Sequence, residues 1–419
     1  MLKINKVVLI GFFIFSQMSL LVAQNNTNSP YTRYGYGELA DRSFGAGRAM
    51  GGVGYGLRSS KQINPMNPAS YSCMDSLTFL FDFGASGQVS WFSDGTNKDH
   101  NVNGNVEYIA MQFPITRRIA MSIGLLPYSY VGYNFGQLTS QDGKAYIEQF
   151  NGTGGLSDLY AGLSVDVWKN RLSVGANFGF LFGNISHKQI VSFNTTASDP
   201  TYSVLREQQT RVRDMKMDFG VQYTHPLSAK EKLVVGVVYS PARHLNAKSY
   251  DIQSVGSGAG GAELDTITGK AFDTPNSFGL GLSYMKLNQL TLAADFSFEQ
   301  WSKARFFGEK DDFKNRIRIG AGGEYIPGYN KKSFFSRVRY RAGVHYSNSY
   351  LRIKGSSYDE YGASVGLGLP LVDNRSIINI SFDYMKVKPD SKALINEQYF
   401  RFTVNYTFNE MWFRKFKLD

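Results

Sequence analysis

One cysteine in 419 residues, Cys73, cannot form an intrachain disulfide, and its place far beyond the N-terminal apolar run excludes a lipid-anchored terminus. The five histidines (His100, His187, His225, His244, His345) are isolated, without the close His, Cys or carboxylate spacing of a metal site. His345 and nearby acidic residues could be read as an acid–base set, but no nucleophile elbow or ordered triad accompanies them. The glycines of GRAMGGVG and GSGAGG lack the strand–turn–helix context of a phosphate loop. The chain is therefore read as a non-enzyme that carries no cofactor. A formal charge of +11 comes without any Lys/Arg run or basic helix, so nucleic acid is not an expected partner. Anionic lipid headgroups account for the scattered positive surface more economically, with plain solvation the alternative. After residue 23 no stretch approaches the ~20 consecutive apolar residues that a transmembrane helix needs.

What is present starts at the N-terminus. Lys3 and Lys6 precede the run VVLIGFFIFSQMSLLV, and the small residue Ala23 ends it before a polar QNNTNS. A positive region, an apolar region and a small-residue cleavage site describe a signal peptide over 1–23, with the mature chain starting near Gln24. A membrane anchor is the alternative, but the run is short for a span.

Glycine (43), Phe (31) and Tyr (26) are frequent, which suits closely apposed strands and aromatic interfacial girdles. The hydrophobic period is two. In RLSVGANFGFLFG, Leu172, Val174, Ala176, Phe178, Phe180 and Phe182 share one face, and Ser173, Gly175, Asn177 and Gly179 the other. SIINISFDYM and YFRFTVNYTF repeat the pattern, the latter setting Phe400, Phe402, Val404, Tyr406 and Phe408 against Arg401, Thr403, Asn405 and Thr407. With no helix to cross a bilayer, apolar-out and polar-in alternation of this length describes a closed transmembrane barrel. A soluble sandwich alternates too, but the exported chain and the charged polar face favour the barrel. The spacing predicts an all-β, antiparallel transmembrane β-barrel of about 14 strands. They fall near 76–93, 104–115, 118–132, 156–168, 171–194, 203–224, 231–253, 274–285, 289–306, 314–326, 336–355, 358–370, 375–388 and 397–409. Alternate connections such as PITRR, KNR and KLNQ are short, as periplasmic turns are, whereas 133–155 and 254–273 are longer and polar. That parity places the barrel in an outer membrane with both termini periplasmic. Residues 24–75, Gly-rich and without alternation, are expected to fold as an N-terminal hatch inside the lumen, a disordered leader being the alternative. The barrel domain spans 76–409, and 410–419 forms a periplasmic-side tail.

Within this hatch, SFGAGRAMGGVGYG followed by NPMNPASYS resembles the N-terminal hatch of the FadL/OmpP1/TodX family of outer-membrane transport proteins. Ala49-Met50-Gly51-Gly52 and Asn67-Pro68-Ala69 carry the likeness. IGLLPYSYVGYNF is similar to that family's third strand, with Pro127 near its middle, and TPNSFGLGLSYMKLNQLTLAADFSFEQWSKA to its eighth and ninth. The resemblance covers nearly all of the mature chain and points to a Bacteroidota-type member. It implies a plugged barrel that moves hydrophobic small molecules such as long-chain fatty acids, with Met50, Gly51, Gly52, Asn67, Pro68 and Ala69 as the hatch and gate. Ligand would leave sideways at a kinked third strand. Proline donates no N–H, so the strand must lose a ladder bond or bulge at Pro127. The alternative is that Pro127 only ends regular pairing near the rim.

Two departures open a second reading. The 133–155 and 195–203 connections are polar and modest, without a greasy capture surface. The presumed lumen face is charged, with Asp166, Asp218, Asp295, Glu299, Glu324 and Asp383 against Arg318, Arg339, Arg341 and Arg401. Opposite charges there are expected to fill the lumen as a structural network. The second reading is a non-transporting FadL-like accessory subunit of a larger outer-membrane secretion or assembly complex; the shuttle protein of type IX secretion in Bacteroidota is a barrel of this sort. Partners are then outer-membrane lipids, a hydrophobic small-molecule ligand under the first reading, and other outer-membrane or periplasmic proteins under the second. In the tail, Trp412, Phe413 and Phe416 interleave with Arg414, Lys415 and Lys417, which suits either the inner leaflet interface or a docking partner.

Overall fold

A computed structural model describes residues 26–141, 144–193, 203–255, 263–267, 271–287, 289–308, 312–328, 333–371 and 375–411. The expected signal peptide and the cationic-aromatic part of the tail lie outside the described residues.

Fourteen antiparallel wall strands close into a barrel. In chain order they are β1 (Thr78–Ser93), β2 (Lys98–Pro114), β3 (Ile119–Gln141), β4 (Lys144–Trp168), β5 (Leu172–Phe193), β6 (Ser203–Pro226) and β7 (Glu231–Ser240). β8 (Ser277–Lys286), β9 (Leu290–Glu299), β10 (Arg316–Tyr325), β11 (Arg339–Asn348), β12 (Tyr358–Pro370), β13 (Ile377–Pro389) and β14 (Asn396–Met411) complete the wall. The ring closes where β14 pairs with β1, Phe402 opposite Gly87. Closure removes the outer edges of the sheet except between β2 and β3, which pair only in part. Along β14, outward Phe400, Phe402 and Val404 are exposed, while inward Thr403, Asn405 and Thr407 are buried. The same alternation holds on β5, where Phe178 is exposed and Asn177 is buried. Apolar outside and polar inside is the inverse of a water-soluble barrel, and lipid is the solvent that such an exterior matches.

The wall is uneven in height. β7 to β11 have 10 residues each, about what a bilayer crossing takes. β3, β4, β5 and β6 have 23, 25, 22 and 24. Of the expected 133–155 loop, residues 133–141 and 144–155 are instead the upper arms of β3 and β4, paired from Tyr133↔Gly152 up to Gln141↔Lys144. The alternation fades there because above the bilayer neither face meets lipid; cross-strand pairing, which a single segment does not display, makes the strand. Conversely, the strand expected over 231–253 stops at Ser240, because Pro241 cannot donate to the ladder. Residues Ala247–Val255 then fold back onto the upper half of β6, and Glu263–Ile267 add outside them.

A transverse crease runs across the tall strands. β3 bulges between Pro127 and Ser129, and next to it Gly154 (φ +110), Gly155 (φ +146) and Gly183 (φ +157) take backbone conformations that L side chains rarely adopt. A Cβ at Gly155 would fall 2.3 Å from the Ser129 carbonyl oxygen, and one at Gly183 2.1 Å from that of Gly155. Above the crease, Val131, Tyr133, Phe150, Ile185 and Val212 pack with Tyr31, Trp301, Phe313 and Tyr350 in one buried cluster.

Candidate functional site: a filled lumen and a gap in the wall

Residues preceding β1 enter the lumen, and their anchoring explains much of the glycine content. Gly51 and Gly52 both have φ +74. A Cβ on Gly51 would meet the Val344 carbonyl oxygen at 2.4 Å, and one on Gly52 the Arg318 guanidinium at 2.1 Å. The wall yields in turn: a Cβ on Gly343 would lie 2.1 Å from the Met50 carbonyl carbon, and one on Gly322 2.4 Å from the Met50 oxygen. Inward-facing glycines on β10 and β11 thus form a cradle for the backbone at Met50 and Gly51, whose N–H donates to the Ser364 hydroxyl at 2.9 Å.

The Asn67-Pro68-Ala69 run is a second anchor. Asn67, fully buried, caps the 3-10 helix Pro68–Cys73 by accepting from the Ala69 N–H at 3.1 Å, with Pro68 in the first turn where its missing N–H costs nothing. Its amide also donates to the Tyr55 carbonyl at 2.9 Å and, across to β6, to that of Val221 at 3.3 Å. The Ala69 carbonyl accepts from Ser164 on β4 and from Arg58. Gly175 and Gly220 leave room for Pro68. Met50–Gly52 and Asn67–Ala69 therefore grip different arcs of the wall, and Pro127 belongs to neither contact.

Some of the wall charges expected to fill the lumen as a network pair with this inner segment. Arg318 donates to Asp41 at 3.2 Å, Asp218 accepts from Arg42 at 2.9 Å, and Arg401 lies 3.5 Å from Glu38. The Asp295 carboxylate accepts from the N–H groups of Gly54 (2.6 Å) and Tyr55 (2.8 Å). Arg48 reaches Glu107 on β2 at 3.0 Å with both side chains almost wholly buried. Burial alone would raise the Asp41 carboxyl, but the Arg318 and Arg48 guanidiniums and two hydrogen bonds from Ser43 outweigh it and hold the group below the usual carboxylate range. Glu324 with Arg341 (2.7 Å) and Arg339 (3.5 Å), Glu299 with Arg316 (3.5 Å), and Asp218 with Lys216 (2.8 Å) pair within the wall. Asp166 instead holds the tight turn after β4, accepting from the Asn170 N–H.

What space remains does not resemble a greasy pocket. The central chamber measures about 150 Å³ and is lined by Glu38, Asp41, Arg42, Arg318, His345 and Arg401, among other ionisable groups. Small-molecule pockets run from ~300 to 1,000 Å³ and are mostly apolar. Toward the long connections the chamber is covered by aromatic packing: Trp301 is 1 % exposed, with ring centroids 4.5 Å from Tyr350, 5.6 Å from Phe313 and 5.8 Å from Tyr36. Toward the short turns, Phe44 stacks on Tyr108 within a second cluster that includes Ile63, Tyr71 and Leu126.

The wall itself has a gap. β2 and β3 pair only from Ile109↔Leu125 to Pro114↔Ala120. Above that, β2 is bonded to β1 up to Ser93↔Lys98, and β3 to β4. Both strands are irregular where they part, β2 shifting register opposite Gly84/Ala85 and β3 at Pro127. Glu38–Leu39 pair instead with the free edge of β3, Glu38↔Tyr130 and Leu39↔Ser129, and Thr32 bonds to Gly132 beside them. A cavity of about 420 Å³ lies in the gap, lined by Val106, Leu125, Pro127, Tyr130 and Leu156 among others. Pro127 was legible in the sequence; the β2 edge and the three crease glycines were not, since a glycine's partner backbone comes from another strand.

The sequence profile of the family described as BamG matches residues 1–419. No curated protein matches the chain. Among solved structures, the CymD monoaromatic hydrocarbon channel superimposes with a TM-score of 0.58 at 14 % identity, over 87 % of this chain and 97 % of that one. A FadL homologue from Pseudomonas aeruginosa gives 0.58 at 14 %, over 90 % and 100 %. The toluene transporter TodX from Pseudomonas putida gives 0.56 at 14 %, over 91 % and 100 %. At such identity the likeness establishes the FadL-type barrel fold.

Proposed function

Since the chain belongs to the BamG family and has the FadL-type fold, we propose that it is a non-transporting accessory subunit of a larger outer-membrane secretion or assembly complex. The observation that carries this reading is the lumen: a charged chamber of about 150 Å³, closed on both sides by packed side chains and bonded to the wall through buried ion pairs. A conduit for hydrocarbons needs an apolar path, and burying an ionic lining around one would be costly. The apolar exterior supports an outer-membrane location, with the short turns and both termini on the periplasmic side. On this reading Met50–Gly52 and Asn67–Ala69 are fixed anchors of an inner segment that stiffens the barrel from within.

The gap beside Pro127 favours the other reading, a channel that releases hydrophobic compounds sideways into the bilayer. There Met50, Gly51, Gly52, Asn67, Pro68 and Ala69 would be the moving gate, and the cavity of about 420 Å³ the exit.

Purification from the native membrane in mild detergent separates the two. A stoichiometric complex with a ligand-free lumen supports the accessory role and removes transport. A lone barrel with a bound apolar molecule does the reverse.

A further inference from the structure

On β5 and β6 the outward face changes character at one height. Rising along β5 it is apolar through Phe178, Phe180 and Phe182, then turns polar at Asn184; along β6 it is apolar through Phe219, Met217 and Met215, then cationic at Arg213 and Arg211. The two switches coincide, since Phe182 is opposite Arg213 and Asn184 is opposite Arg211. Counted from Pro226 at the short-turn end, β6 reaches Met215 after about one bilayer crossing of strand, so the switch marks where hydrocarbon ends and headgroups begin. Three cations stand together there. Lys248 lies directly opposite Arg211, and Arg213 is two residues along on the same face. Opposed residues on one face hold their Cβ atoms ~5 Å apart, and neighbours two along a strand are ~7 Å apart. All three side chains are exposed, and none has a hydrogen-bond or ion-pair partner among the described residues. Arg243, whose Nε donates to the Met215 carbonyl at 3.1 Å, adds a fourth cation beside them. Nearby carboxylates are already engaged. On the same face Glu207 accepts from Ser186 (2.7 Å) and Gln209 (2.8 Å) and lies 3.5 Å from Lys188. Asp214 and Asp251 occupy the opposite faces of their strands and pair with Arg243 (3.6 Å) and Arg206 (2.8 Å). Like charges directly across a ladder destabilise it, so Arg211 against Lys248 is a pair that an anion would relieve.

We propose that Arg211, Arg213 and Lys248 bind a phosphate group of lipid A in the outer leaflet, with its acyl chains against Phe180, Met215 and Phe219. Guanidinium groups meet phosphate oxygens in a bidentate fork and the ammonium adds a point charge, so one phosphate bridges the opposed pair and turns its repulsion into attraction. Height and chemistry together select this occupant. The anion sits at headgroup level and must carry an apolar body to cover the exposed side chains of Phe180, Met215 and Phe219 below it. A soluble phosphate covers none of them. With the short turns periplasmic, the patch belongs to the outer leaflet, where phosphorylated glycolipid stands in place of phospholipid. A phosphate monoester also brings nearly two negative charges to the three cations, against one from a phosphodiester headgroup. The inference takes its orientation from the proposed function and holds for an accessory subunit or a channel alike.

Native mass spectrometry of the full chain, extracted from its membrane in mild detergent with a chelator, tests it. Chelation strips lipid A that is held only through divalent cations between neighbouring lipids, so the wild-type protein should keep a single lipid A. Arg211→Gln with Arg213→Gln and Lys248→Gln should lower that occupancy by about tenfold or more. Arg117→Gln with Arg118→Gln and Lys230→Gln, which removes exposed cations from the short turns, should leave it unchanged. A second measurement needs no variant: on delipidated wild-type protein, phosphorylated lipid A should bind at least about tenfold more tightly than the same lipid treated with phosphatase, and more tightly than phosphatidylglycerol. Equal retention by the first triple variant, equal loss in the second, equal binding of the dephosphorylated lipid, or a preference for phosphatidylglycerol overturns the site. Orientation is read separately. A bulky maleimide that cannot enter the periplasm should label Leu138→Cys, on the exposed upper arm of β3, in whole cells. Absence of labelling would remove the orientation and the lipid A site with it, whereas labelling with no lipid A preference removes the site alone and leaves the proposed function standing.

Discussion

The ion pair between Arg48 and Glu107 makes the strongest test of whether the inner segment is a fixed part of the barrel. The two groups approach to 3.0 Å with side chains 4 % and 3 % exposed, and the other polar partner of Glu107 is the Ser86 hydroxyl. Replacing Arg48 by Met keeps most of the apolar volume and leaves the buried Glu107 carboxylate without its ion-pair partner, with only the more distant Arg401 charge to offset it, a change that costs up to about 3–5 kcal/mol. The wall should survive, because its ladder does not pass through Arg48; the loss should fall on the docking of residues 26–75. At ~1.4 kcal/mol per factor of ten, amide protection in that segment should drop by up to roughly two to three and a half powers of ten while β8–β13 amides keep theirs. Arg48→Met combined with Glu107→Gln removes both charges and should recover most of the loss, because the stranded carboxylate is what costs. Hydrogen exchange by mass spectrometry reads all three proteins. Unchanged protection of residues 26–75 in Arg48→Met, or a double variant as loose as the single one, would refute the reasoning.

Other perturbations probe different contacts. Gly51→Ala combines a left-handed φ, about 1–2 kcal/mol, with overlap on the Val344 carbonyl, whereas Gly95→Ala, at φ +97 with open space around it, meets only the first term; denaturation midpoints should rank them in that order. Trp301→Ala removes a ring at the centre of the upper aromatic cluster and leaves Glu299 without its indole donor (2.6 Å), and should cost about 3–5 kcal/mol. A smaller shift in thermal denaturation than that of an exposed control such as Leu138→Ala would contradict the packing. Asp41 has a folded-state pKa held below its unfolded value of ~3.9, so its contribution is complete at higher pH and is lost as pH falls below about 4. Amide protection in the inner segment, corrected for the intrinsic exchange rate at each pH, should fall below that pH, and Asp41→Asn should show less of this acid dependence. Reconstituted in planar bilayers, the intact barrel should pass negligible current, and sustained conductance would argue against the filled lumen.

Period-two alternation was enough to read a closed fourteen-stranded barrel, because lipid on one side and a polar interior on the other force every wall strand to alternate whatever its neighbours are. The Asn67-Pro68-Ala69 and Met50-Gly51-Gly52 runs stood out only through the family resemblance; that Asn67 caps a 3-10 helix and that both glycines are left-handed came from the structure. Pro127 announced an irregularity in β3, since proline donates no N–H. Tertiary structure alone decided how far the strands rise: 133–141 and 144–155 carry no strong pattern, and only the β3–β4 and β4–β5 pairings make them strand. It decided where the charges go, because Arg318 pairs with Asp41 of the inner segment, 277 residues away in sequence, and Asp218, besides Lys216 on its own strand, pairs with Arg42, 176 residues away. It also decided that the wall is open between β2 and β3. A free edge is a statement about which backbone is absent beside a strand, and no residue on that strand records it.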